Sequence, residues 1–260
     1  METRNVDVLS CPECKGSLCR STPVSSPEEC EILICNDCGN EYSDHDGYVD
    51  FLGSVGLIHD NLREKIVRTV YARFYTPMTN FMFIFCGGAG NARREVIGQL
   101  DIHDNDLILE TGMGPGDNFP LLEKKAGNLR LFGIDIQTQM MVHCCNNLKK
   151  WKYEARICRA DAERLPFHDS MFDVVFHCGA FNMFKDRQKA LNEMIRVAKP
   201  GTRIVVADES EKGNRIFNRI NGTKIEYISP ETFVPANMEK VRLTTIWEGF
   251  GYLLAFTKPR

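Results

Sequence analysis

The sequence predicts an α/β fold, and three observations carry that expectation. From residue 99 onward, short β-rich runs alternate with amphipathic segments, the order that βαβ units require. The apolar run Leu107-Ile108-Leu109 leads through Glu110-Thr111 into Gly112-Met113-Gly114-Pro115-Gly116, a strand opening into a glycine-rich turn. Near the end, the apolar runs Val241–Trp247 and Tyr252–Thr257 flank Glu248-Gly249-Phe250-Gly251, which predicts an antiparallel hairpin.

Taken in order, Asp106–Glu110 reads as a buried strand, with a helix near Asn118–Lys125 after the turn. Arg130–Asp135 is the second predicted strand and Gln137–Lys150 the second helix. Ala155–Cys158 reads as a short third strand and Met171–His177 as a fourth. Lys185–Ala198 is a helix stopped by Pro200-Gly201, and Thr202–Asp208 a fifth strand. Upstream, Leu62, Ile66, Val70 and Phe74 recur at helical spacing between charged residues, so 57–98 reads as mainly helical. Residues 1–50, rich in Cys, Pro, Ser, Asp and Gly, show no long apolar periodicity. The expected division is a cysteine module over 1–52, a helical linker or lid over 53–98, and the α/β domain over 99–260.

The 260 residues suffice for one large α/β domain and a small accessory module. A formal net charge of -3 argues against a protein that tracks along a phosphate backbone, which takes a basic surplus. Met1–Asp7 shows no basic stretch leading into an apolar one, so no secretory signal is expected. The most apolar short run, Phe81–Cys86, falls far short of the roughly 20 residues that a bilayer span needs. A cytoplasmic protein is expected, and in a reducing compartment its 11 cysteines favour metal ligands and buried thiols over disulfides.

Cys11-Pro12-Glu13-Cys14 and Cys35-Asn36-Asp37-Cys38 are two C-x-x-C knuckles, with Gly39 just after the second. Each tight turn supplies two thiolates, and tetrahedral zinc takes four, so Cys11, Cys14, Cys35 and Cys38 are the expected ligands of a structural zinc ion in a zinc ribbon. Cys19 and Cys30 are expected spectators, with either able to substitute as a ligand. Cys144-Cys145 beside His143 lie on a predicted helix, where adjacent side chains diverge, so buried or semi-buried thiols are expected there and no joint metal site.

A strand, a Gly-x-Gly-x-Gly turn and a helix bring backbone N–H groups close to a ligand. The third glycine arrives one residue too early for a dinucleotide fingerprint. Three carboxylates then follow successive strands. Glu110 ends the first. Asp135 ends the second, a position from which a carboxylate accepts both ribose hydroxyls of an adenosine, with Ile136 next to it. Asp161-Ala162 follows the third, where a carboxylate accepts from an exocyclic amine. Any one of these acids alone reads as a solvated loop charge or a helix cap. All three at the strand ends where open α/β sheets bind ligands read as a site.

Glu-Thr-Gly-Met-Gly-Pro-Gly (110–116), Gly-Ile-Asp (133–135), Ala-Asp-Ala-Glu-Arg-Leu-Pro-Phe (160–167), Phe-Asp-Val-Val (172–175) and Glu-Met-Ile-Arg-Val-Ala-Lys-Pro-Gly-Thr (193–202) occur in that order. Together they resemble the ordered motifs of Rossmann-like S-adenosylmethionine-dependent methyltransferases, above all the ubiquinone/menaquinone-biosynthesis type. The resemblance covers roughly residues 100–210. It implies a seven-stranded sheet whose last strand is antiparallel. It also implies that Gly112, Gly114 and Gly116 flank the methionine part of S-adenosylmethionine, that Asp135 holds the ribose, and that Asp161 and Ala162 frame the adenine. Pro115 departs from the pattern by stiffening the loop, without removing a binding group.

Methyl transfer needs alignment and desolvation, and a base only if the acceptor requires one. His177, at the end of the fourth strand, has the intrinsic pKa of a base. The simpler reading leaves its backbone lining the cofactor while the ring packs. Cys178 and Asn182 share that ambiguity. Tyr71 and Tyr75 are candidate lid residues, and Phe81, Phe83 and Phe85 candidate walls of an apolar pocket. The expected function is methylation of a small apolar or aromatic acceptor. The alternative is an RNA methyltransferase, because a zinc module followed by Gly47–Leu52 and this catalytic pattern also resembles the rRNA guanine-N1 methyltransferases. Charge disfavours it: residues 11–50 carry only Lys15 and Arg20 as fixed cations. A third reading is a cofactor-binding module without catalysis.

Overall fold

The computed structural model describes residues 7–21, 31–45, 47–53, 83 and 87–260. Four N-terminal strands, β1 (Leu18–Ser21), β2 (Glu31–Cys35), β3 (Glu41–His45) and β4 (Tyr48–Asp50), precede seven more. These are β5 (Leu107–Thr111), β6 (Arg130–Asp135), β7 (Ala155–Arg159), β8 (Val174–Cys178), β9 (Arg203–Glu209), β10 (Glu239–Ile246) and β11 (Gly251–Thr257). Among the described residues all eleven join one sheet, in the order β1-β2-β3-β4-β7-β6-β5-β8-β9-β11-β10.

The centre of the sheet, from β7 to β9, is parallel. β11 then inserts antiparallel between β9 and β10, which gives the expected hairpin and seven-stranded arrangement. The chain leaves β5 towards β6 on one side and leaves β8 towards β9 on the other. Their loops therefore part, and the crevice for a ligand opens above that point.

Five α-helices are described: α1 (Ala89–Ile97), α2 (Phe119–Leu122), α3 (Thr138–Trp151), α4 (Arg187–Val197) and α5 (Glu211–Asn221). α3 buries Met140, Met141, Cys144 and Leu148, a stripe at helical spacing. α4 buries Ala190, Leu191, Met194 and Val197, and its cap residue Asp186 accepts from Lys189 N at 2.9 Å. Alternation along the strands divides the core into two layers. Leu107, Leu109, Phe132, Ile134 and Val175 pack on the α4 side, whereas Ile108, Leu131, Val174 and Phe176 pack on the α3 side.

Three elements depart from expectation. The fourth predicted strand begins at Val174, because Phe172 makes only an isolated bridge to Ala198 and the Asp173 carboxylate accepts from Leu107 N. α2 spans four residues where eight were expected. α5 was not expected at all.

At the other edge, β4 pairs parallel with β7, Tyr48 against Ile157 and Asp50 against Arg159. The cysteine module thus extends the sheet, and its Leu9, Leu33, Val49 and Phe51 join the same buried cluster as Phe132 and Phe167. The residues expected as lid or wall before Ala89, Tyr71, Tyr75, Phe81 and Phe85 among them, lie outside the described residues. Phe83 is described, and its ring meets Trp247 edge-on at 4.9 Å. No helix among the described residues is long and apolar enough to cross a membrane.

Candidate functional site

Beyond β5 the backbone turns through Gly112, Gly114 and Gly116 at φ of 66°, 54° and 78°, values that glycine adopts without strain. Close approach adds a second constraint at Gly112 and at Gly133. A Cβ on Gly112 falls 2.9 Å from His177 Cε1, and one on Gly133 of β6 collides with Met113 Sδ and falls 2.9 Å from Phe119 Cζ. Met113 and Phe119 thereby seat the loop on β6. Asn147 of α3 holds it from above, donating to Pro115 O at 3.0 Å.

Glu110 is buried beneath this loop. Its Oε1 accepts from Asn118 Nδ2 at 2.5 Å, while Glu110 Oε2 and Asn118 Oδ1 have no partner among the described residues. Burial pushes the Glu110 carboxyl up to about 8, against the Asn118 amide, which favours the ionised form. Each unpaired buried acceptor costs about 1–3 kcal/mol until a donor reaches it. A cationic amine beside the glycine loop favours the ionised Glu110 carboxylate, whose Oε2 and the Asn118 Oδ1 then both accept from it.

Asp135 ends β6 with both oxygens turned to backbone: Oδ2 accepts from Gly114 N at 3.0 Å and Oδ1 from Gln137 N at 2.9 Å. Burial raises its pKa, and those N–H groups oppose the rise. Ile136 is 56% exposed, an uncovered apolar side chain at the crevice. Asp161 shapes the turn after β7 by accepting from Glu163 N at 2.9 Å, and Ala162 is buried beside it.

His177 is fully enclosed. Nδ1 donates to Thr111 O at 2.7 Å, Nε2 has no partner among the described residues, and the ring meets Phe181 and Phe184 edge-on. Burial lowers its pKa, so the ring is neutral. Burial likewise pushes the neighbouring Cys178 thiol up to about 12.

The sulfurs of Cys11, Cys14, Cys35 and Cys38 all lie within 4.8 Å of one another. Tetrahedral zinc with bonds of about 2.3 Å sets its sulfurs roughly 3.8 Å apart, so the cluster fits that ion. The two knuckles turn alike, with Lys15 N bonded to Cys11 O at 2.8 Å and Gly39 N to Cys35 O at 3.0 Å. Burial disfavours the Cys11 thiolate, but the Tyr42 hydroxyl at 3.0 Å and backbone donors outweigh it and hold the thiol down to about 7. Cys19 lies apart from the cluster, with its thiol towards Ile34 O. Cys30 lies outside the described residues. Cys144 packs against Met113, and Cys145 faces Gly47, so the adjacent pair diverges as expected. All nine described cysteines are free of disulfides.

Residues 109–206 match a family described as Methyltransferase domain. A demethylmenaquinone methyltransferase of Thermus thermophilus is 36% identical over 101 residues, which are 39% of this chain and 46% of that protein. A chloroplastic 2-phytyl-1,4-beta-naphthoquinone methyltransferase of Arabidopsis thaliana is 28% identical over 131 residues, 47% of this chain and 49% of that protein. The chain therefore spans about half the length of these relatives. Residues 109–206 form a methyltransferase domain. The fold agrees: a methyltransferase solved in complex with the Haloferax volcanii Trm112 methyltransferase activator superposes with a TM-score of 0.56 at 18% identity, covering 65% of this chain and 89% of that one.

Around this site, two groups escaped the sequence reading. Asn118 was read only as the start of a helix, yet it is the partner of Glu110. Asp208, fully buried at the end of β9, accepts from Ala180 N at 3.0 Å and Asn182 N at 2.5 Å and so fixes the turn after β8. Its neighbour Glu209 is pushed well above the carboxylate range by burial and by the Asp208 charge. The signal for Asp208 was present: it is one more acid at the end of a predicted parallel strand.

Proposed function

We propose that the protein transfers a methyl group from S-adenosylmethionine to a small apolar or aromatic acceptor. The observation that carries this reading is a pair of oxygens, Glu110 Oε2 and Asn118 Oδ1, unpartnered among the described residues, under a loop of three left-handed glycines. They receive the cofactor's ammonium group, and the N–H groups of the loop face its methionine part. Asp135 takes the ribose hydroxyls on its remaining lone pairs, Ile136 lies against the adenine face, and Asp161 with Ala162 frames the adenine edge. Bound there, S-adenosylmethionine supplies an electrophilic methyl on a sulfonium. The chain's own residues align it and exclude water, a contribution on the order of 7–11 kcal/mol in well-oriented systems.

The enclosed His177 ring supports Gly112 from below. To act as a base it must leave its Thr111 bond and its aromatic surround. Phe181, Phe184 and Phe233 form an aromatic group past β8, and this supports an apolar acceptor. The named quinone-type substrates of the two relatives point the same way. In the cysteine module, Cys11, Cys14, Cys35 and Cys38 hold a structural zinc ion, and free thiols suit a reducing cytoplasm. The two fixed cations of residues 11–50 are both engaged within the chain, Lys15 by Glu193 and Arg20 by Glu31 and Asp44, which favours a small molecule over RNA.

Calorimetric titration with S-adenosylmethionine tests the reading. Asp135→Ala removes charge-assisted hydrogen bonds of about 1.5–3 kcal/mol, which corresponds to roughly 10–100-fold weaker binding. An unchanged affinity contradicts it.

A further inference from the structure

We propose that the cysteine module is an intramolecular clamp on the two loops that hold the adenosine half of the cofactor, so that metal in the module and cofactor in the cleft bind cooperatively. The proposal rests on the methyltransferase reading above.

The module grips the domain at two places, and both grips end beside the adenosine loops. The first is the β4–β7 edge. Arg159 and Asp50 are 3% and 8% exposed, and Arg159 Nη1 donates to the Asp50 oxygens at 2.8 and 3.1 Å. The same nitrogen reaches Gly53 O at 3.0 Å, and Arg159 Nε donates to Ile136 O at 3.3 Å. Arg159 also stands opposite Asp135 in the β6–β7 register. One guanidinium therefore ties the end of the module to the backbone between Asp135 and Gln137.

The second grip starts inside the first knuckle. Lys15 follows Cys14 directly, at a φ of 63°. Its ammonium donates to Glu193 Oε2 at 3.0 Å and to Leu165 O at 3.2 Å, and the same Glu193 oxygen accepts from Leu165 N at 2.8 Å. Ser10 N bonds to Pro166 O, His168 N bonds to Val8 O, and Leu9 bridges to Phe167. Residues 8–15 thus hold the loop that begins at Asp161-Ala162.

Zinc joins the two grips. Cys11 and Cys14 lie next to the residues of the second, while Cys35 and Cys38 lead through β3 into β4 and the first. A burial contact alone would need no charged side chains aimed at loop carbonyls. Here Lys15 and Arg159 each end on one, Leu165 O and Ile136 O, in the loops assigned to the cofactor. A metal that orders these loops lowers the ordering cost that the cofactor must meet, and the coupling acts equally in both directions. Lys15, Asp50 and Arg159 are positioning residues in this scheme, since none touches the cofactor.

The test uses the full chain and S-adenosylhomocysteine as the calorimetric probe. Six samples are compared: wild type, Lys15→Met and Asp50→Asn, each zinc-loaded and stripped by a chelator. Zinc content and far-UV circular dichroism are recorded for each. Stripping the wild type is expected to weaken S-adenosylhomocysteine binding by about fivefold or more, within the usual range of coupling. By reciprocity, saturating S-adenosylhomocysteine tightens zinc binding by the same factor. The zinc-loaded variants are expected to keep full zinc content and folded spectra, to bind several-fold more weakly, and to show coupling that falls towards unity. Wild-type affinity and wild-type coupling in both variants overturn the clamp. If the stripped protein unfolds, the two zinc-loaded variants decide alone. Zinc-loaded wild type that binds no S-adenosylhomocysteine overturns the methyltransferase reading and the clamp together; wild type that binds but ignores zinc and both substitutions overturns the clamp only.

Discussion

Glu110 shows how one side chain joins stability to function. Its pKa is raised from the ordinary 4.5 to about 8 by burial, only partly offset by Asn118. A group whose folded value is raised binds more protons in the native than in the unfolded chain. Its contribution to stability is complete below the unfolded value of 4.5 and is lost as pH rises through about 8. Glu110→Gln keeps the neutral form at every pH and retains an acceptor for Asn118. Its melting temperature is therefore expected to match that of the wild type near pH 4, to exceed it increasingly as pH rises, and to exceed it most at about pH 9, as thermal denaturation measures. A parallel pH dependence in the two proteins contradicts this. At this scale the site was legible where a residue's place follows from a local pattern: Glu110, Asp135 and Asp161 each stand at the end of a short apolar run that reads as a strand. Asn118, Asp50 and Arg159 were not legible. Their importance comes from partners that only the fold supplies, and Asp50 and Arg159 are ordinary residues 109 positions apart.

Among the elements, β6 does more than supply a strand. Gly133 lets Met113 and Phe119 sit against it, so a strand residue determines where the cofactor loop rests. Gly133→Ala overpacks this contact and is expected to cost about 1–3 kcal/mol, read as a melting temperature lower by several degrees. Because the loop is displaced as well, S-adenosylmethionine binding should weaken with it. Lower stability with unchanged affinity separates the two roles and contradicts the seating argument. The parallel strands and the hairpin were readable because each is a short apolar run between turn residues. α5 was not, since Gly213, Asn214, Asn218 and Asn221 make Glu211–Asn221 a poor helix by propensity. Its signal lay in the cap: the Ser210 hydroxyl accepts from Gly213 N at 3.3 Å.

Across the whole molecule, the cysteine module and the methyltransferase domain share one sheet and one buried cluster. Periodicity within either segment carries no trace of that union, because the β4–β7 pairing is made between two edges far apart in sequence. Such a union predicts a single cooperative unfolding transition for the zinc-loaded protein. Chelation should move that whole transition down, as loss of a ligand bound only by the native state requires. Calorimetry that resolves an independent module transition contradicts it. The central claim concerns methyl transfer itself, and its most direct measurement uses S-adenosylmethionine labelled in the methyl group. The purified protein is incubated in parallel with reduced naphthoquinones and with ribosomal RNA, and the label is counted in the organic extract and in the RNA. Label in the organic product, lost with Asp135→Ala, is the expected result; label in RNA alone, or in neither fraction, contradicts the account.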